Sequence, residues 1–105
     1  MAKNTDFIRN WVRGDYTTPK THSHSVSCAG SKGERLLSYC TTIAARMEDG
    51  TIILNNARYS QTTTRHQSLI RRHAGAKLIS YESTAVFWAE YEKLLREQDA
   101  AEAVQ

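Results

Sequence analysis

The sequence predicts an α+β domain. It expects a small antiparallel sheet built around a hairpin spanning residues 36–59, with a short N-terminal helix, a middle helix and a C-terminal amphipathic helix on one face. Three observations predict it. Two runs rich in Thr, Ile, Tyr and Leu, Leu36 to Met47 and Thr51 to Tyr59, flank Asp49-Gly50, a strong hairpin signal. Thr64-x-x-Gln67 has the form of a capping box, opening a helical pattern that Gly75 closes. Behind a capping Ser83, the residues Phe87, Tyr91, Leu94 and Leu95 recur at i, i+4, i+7 and i+8.

At the N-terminus, Asn4 or Thr5 caps a helix over residues 5–13. Its apolar stripe is Phe7, Ile8, Trp11 and Val12, and Gly14 stops it. So short a helix is unstable alone and must dock on something. Residues 15–23 are polar, contain Pro19 and read as a loop. His24 to Ala29 reads as a strand with Val26 and Cys28 on one face, and Gly30-Ser31-Lys32-Gly33 as a turn.

For the hairpin, two registers compete. A two-residue turn pairs Met47 with Ile52 and Ala45 with Leu54, gathering apolar side chains on one face. A three-residue turn pairs Met47 with Thr51 and Ala45 with Ile53. A one-residue slip flips every side chain of a strand, so the pattern favours the two-residue turn. The middle helix covers residues 65–74, with Leu69, Ile70 and His73 inward, His66 beside them, and Arg65, Ser68 and Arg72 on another face. Lys77 to Tyr81 is a short strand. The last helix covers 84–98, with Trp88 beside its stripe and Glu92–Arg96 as an i, i+4 pair. The chain therefore reads as one domain, 1–98, and a frayed tail, 99–105.

Fourteen Lys and Arg oppose eleven Asp and Glu, a formal net charge of +3. The charge is unevenly spread. Residues 1–80 hold 12 basic and 5 acidic side chains, and residues 81–105 hold 2 and 6. A basic body with an acidic C-terminal segment suggests an anionic partner or internal complementarity. Nine of the basic residues are Arg, suited to bidentate contact with phosphate or carboxylate. No run approaches 18 apolar residues, so no transmembrane helix is expected. Met1 to Trp11 carries Lys3, Asp6 and Arg9 and does not read as a secretory signal, so a cytoplasmic protein is expected. Cys28 and Cys40 make no disulfide framework.

The candidate site is the segment from Arg58 to Arg65, which leaves a strand and enters a helix. Backbone N–H groups and the helix dipole favour an anion there. The residues expected to bind it are Arg58, Tyr59, Thr62, Thr63, Thr64, Arg65, Arg71 and Arg72. Threonine hydroxyls donate, arginines fork onto phosphate, and Tyr59 stacks. Helix capping and solubility would use the same residues. No P-loop and no Gly-x-Ser-x-Gly elbow occurs, and Glu48-Asp49 sits at an exposed hairpin tip. His22-x-His24 with Cys28 is only part of a metal set. A non-enzymatic binding protein without metal or cofactor is expected.

The stretch from Thr41 to Asn55, with Tyr59-Ser60 and Thr62 to Gln67 (without the intervening Gln61), resembles small uncharacterised proteins of tailed phages and prophages. The resemblance implies a phage-type accessory role in a host cytoplasm, either binding nucleic acid or inhibiting a host defence. The first expectation is thus an anionic partner, nucleic acid or nucleotide. The alternative is a protein-binding inhibitor of a host enzyme or defence system, using the acidic C-terminal helix. Open sheet edges make a homo-oligomer plausible under either.

Overall fold

The computed structural model describes residues 4–16, 18–21 and 25–104, with side chains to residue 100. Helix α1 (Asn4–Val12) buries Phe7, Ile8 and Trp11, the stripe expected from its spacing. Strands β1 (Lys20–Thr21), β2 (Val26–Ala29), β3 (Arg35–Ser38), β4 (Thr41–Arg46), β5 (Ile52–Asn55) and β6 (Leu78–Tyr81) lie side by side in chain order. Helix α2 (Gln61–Ala74) joins β5 to β6 through a 3-10 turn, and α3 (Thr84–Val104) follows, running past residue 98. The α+β class is the observed one.

Its layering differs from expectation, because both faces of the sheet are covered. Ile52 and Leu54 pack with Phe7, Ile8, Trp11 and Ile70 beneath α1 and α2, whereas Ala45, Met47 and Ile53 pack with Phe87 and Tyr91 of α3. Adjacent strand residues point to opposite faces, so α3 lies on the far side of the sheet from α1 and α2. This also overturns the expected hairpin register. Ala45 pairs with Ile53 and Arg46 with Ile52, leaving a three-residue Glu48-Asp49-Gly50 loop. Gathering apolar residues on one face is no criterion for a strand buried on both. Gly50 takes φ 91° while Asp49 is not left-handed, and Gly50 N–H donates to Met47 O at 3.0 Å. That is a turn closed by a left-handed glycine rather than a two-residue primed turn.

The expected single strand 36–47 is two strands. Tyr39, exposed and left-handed at φ 58°, turns the chain between Ser38 and Thr41. Further along, Leu36 pairs with Ala44 and Leu37 with Thr42, so Ile43 is the extra residue of a bulge. The bulge turns both Ile43 and Ala44 into the core under α1 and α2. The sheet is also not wholly antiparallel. β6 runs parallel to β5, because α2 carries the chain back before β6 begins.

Candidate nucleic-acid interface

Helix α2 begins earlier than Thr64. Ser60 is its cap, and the Ser60 hydroxyl accepts from Thr63 N–H at 3.2 Å. The threonines therefore occupy the first turn. Thr63 is buried, with its hydroxyl 2.9 Å from Ser38 Oγ and 3.1 Å from Ser60 Oγ. The Thr64 hydroxyl donates back to Ser60 O at 3.1 Å. Two of the three expected hydroxyl donors are thus engaged within the fold, and Thr62 is half-buried. Gln67, the apparent capping-box partner, is buried and donates to Asn55 O at 2.8 Å and Ala57 O at 3.0 Å. It ties α2 to the end of β5.

The arginines divide into two settings. Arg71 donates to Asn56 Oδ1 and to Ser68 Oγ, and Asn56 Nδ2 donates to both Glu82 oxygens at 3.2 Å. Arg58, Tyr59, Arg71 and Glu82 share an open depression of about 440 Å³ at the C-terminal ends of β5 and β6. Glu82 offsets its positive charge. Tyr59 is 37% exposed, with its hydroxyl 2.8 Å from Thr84 Oγ1 and accepting from Asn55 Nδ2. The second depression, about 700 Å³, follows the outer face of α2 along Gln61, Thr64, Arg65, Ser68, Leu69 and Arg72. No carboxylate lines it. Arg65 and Arg72 stand two turns apart, about 10.5 Å along the axis.

Charge separates by face. α2 contains three arginines and no acidic residue, whereas the sequence of α3 contains five acidic and two basic residues. The ion pairs of the described residues are Arg9–Asp6 and Lys32–Glu48, so Arg58, Arg65 and Arg72 have no carboxylate partner among them. Burial, then Arg72 of α2, Arg9 of α1 and Arg13 just beyond α1, hold the His73 pKa down. The linear asymmetry of the sequence thus becomes a basic face and an acidic face.

Sequence reasoning missed a buried polar chain behind this face. His66 Nδ1 lies 2.8 Å from Ser38 Oγ, and Asn4 Nδ2 lies 3.5 Å from His66 Nε2. The spacing matches a nucleophile–base pair, but Ser38 is 1% exposed and His66 3%. Asn4 Nδ2 also donates to Ser25 Oγ at 3.0 Å, so the chain runs from Ser38 through His66 and Asn4 to Ser25. The chain pins α2 to β3 and α1 across 28 residues of sequence, which no local pattern reveals. Burial lowers the His66 pKa. The unfolded chain therefore takes up a proton near pH 6.5 that the folded one refuses, and stability falls as pH drops through that range. Urea melts at pH 7.5 and 5.5 should show this loss, and it should shrink in His66→Gln.

The chain belongs to a family of unknown function, DUF8033, whose model matches residues 14–87. No curated protein and no solved structure matches it. The DUF8033 span takes in the whole sheet, α2 and all eight residues expected at the anion site, and it omits α1 and most of α3. His22 and His24 lie outside the described residues. Among the described residues, no three His, Cys, Asp or Glu side chains are grouped to hold a metal ion. Burial pushes the Cys28 thiol up, away from the thiolate a metal needs, while Cys40 is exposed. No described helix is long and apolar enough to cross a membrane.

Proposed function

We propose that the protein binds nucleic acid through the outer face of α2, without catalysis or cofactor. The observation that carries this reading is a helix with three arginines and no carboxylate, set opposite an acidic helix, whose Arg65 and Arg72 lack acidic partners among the described residues. Arg58, Arg65 and Arg72 contact phosphates, and the exposed part of Tyr59 stacks on a base. The acidic α3 face turns away from the polyanion and gives the contact one orientation. Arg71, engaged by Asn56 and Ser68, supports the surface rather than adding a contact.

Three phosphate contacts predict a log–log salt slope of about −2.7 on duplex DNA. Fluorescence anisotropy across a salt series measures it. An absence of binding at low salt rejects the reading. The five carboxylates of α3 favour a second one, a basic protein partner docked on that helix, into which a phage-type inhibitor of a host enzyme fits.

A further inference from the structure

β6 forms one edge of the sheet, and no strand of the described residues pairs with its outer side. The opposite edge, β1, is two residues long and carries Lys20 directly after Pro19, features that discourage pairing. β6 has no such protection. Its four residues, Leu78-Ile79-Ser80-Tyr81, include no charge, proline or glycine, and its register with β5 is unbroken. Ile79 is in register with Ile53, on the α3 side, yet is 44% exposed. Val86 of α3 is 46% exposed. Helix α3 packs along β6 as well as β5, and burial, then Glu90 one turn beyond Val86, raises the Tyr81 pKa. The edge thus presents a bare apolar strip.

The strand is also self-complementary. Asn56 N–H donates to Tyr81 O at 2.8 Å, so the Tyr81 carbonyl faces β5. By the alternation of a parallel ladder, Ile79 faces β5 too, while Leu78 and Ser80 direct their backbone groups outward. Lys77 precedes the strand and Glu82 follows it. We propose that β6 pairs antiparallel with β6 of a second copy of this chain, about a two-fold axis through Ile79. Leu78 and Ser80 then exchange backbone hydrogen bonds with Ser80 and Leu78 of the other copy. The two Ile79 side chains meet in the closer, non-hydrogen-bonded pair, flanked by Val86 from each side. The Lys77 end of each strand abuts the Glu82 end of the other. The axis is perpendicular to the sheet, so both α2 faces point to the same side and the basic surface doubles.

Light scattering on the full chain tests this, since the expected mass is twice 11.9 kDa. Ile79→Lys should raise the dissociation constant at least tenfold with an unchanged circular dichroism spectrum. If that variant fails to fold, Val86→Lys, on the exposed surface of α3, carries the same expectation. Lys77→Glu and Glu82→Lys should each weaken the dimer, and the two together should restore it. A wild-type monomer at every concentration overturns the proposal and leaves the edge to other extended peptides. A dimer indifferent to a folded Ile79→Lys overturns it equally, because another surface then holds the copies together.

Discussion

The double variant Arg65→Gln with Arg72→Gln should bind nucleic acid about 30- to 150-fold more weakly than the wild type, at about 1–1.5 kcal/mol for each exposed, screened contact. Its salt slope should become shallower by about 1.8, since each lost phosphate contact removes about 0.9. Stability should scarcely change. Both residues are exposed. Arg65 lies near the start of α2, where a cation opposes the helix dipole, and Arg72 near its end, where a cation is favourable by about 0.3–1 kcal/mol. A matched pair on α3, Glu90→Lys with Glu97→Lys, should leave nucleic-acid affinity equal or higher. Under the protein-partner reading the pattern reverses: the arginine pair is silent and the glutamate pair abolishes binding. Anisotropy and pulldown on the two variants, with thermal melts as the folding control, separate the readings. Wild-type affinity in a folded arginine pair would end the case for the α2 face.

What could be read in advance depended on the range of the interactions. The apolar stripes of α1 and α3 are local periodicities, and Phe7, Ile8, Trp11, Phe87 and Tyr91 are buried as their spacing implied. The site of the Asp49-Gly50 turn was legible, but its register was not. Register follows from which face is buried, and that depends on α3 packing behind Ala45 and Ile53. The turn at Tyr39 carries no Gly, Pro or Asn, so no local signal marks it. The parallel placement of β6 follows from the crossover and has no signature within its four residues. At the candidate site, Thr64-x-x-Gln67 was legible as a capping box, but the fold caps α2 at Ser60, because Thr63 and Gln67 are needed inward by Ser38 and the end of β5. The arginines were legible as a charge excess. Their segregation onto one face needed the two-layered packing.

Gln67→Glu should be among the most destabilising single substitutions, at about 3–5 kcal/mol near pH 7. The change is nearly isosteric, so no cavity contributes. Gln67 is 2% exposed, and its amide nitrogen donates to Asn55 O and Ala57 O. A carboxylate there faces two carbonyl oxygens, turning two attractive contacts repulsive while burying a charge. Burial raises the pKa of the introduced carboxyl in the folded state above its unfolded value of about 4.3. The folded variant then holds a proton that the unfolded chain has released, so the deficit should shrink as pH falls toward that value. Wild-type His66 works in the opposite direction, so the comparison is the difference between variant and wild type at each pH. Gln67→Met separates charge from lost donors. It leaves two carbonyls unpaired at a cost of about 1–3 kcal/mol, with no added pH dependence. Urea melts should therefore rank wild type above Met above Glu at pH 7, with the gap between the two variants narrowing in acid. A Glu variant as stable as the Met variant at pH 7 would mean that the β5–α2 connection opens to water around residue 67. The segment bearing Arg58 and Tyr59 would then lose its anchor.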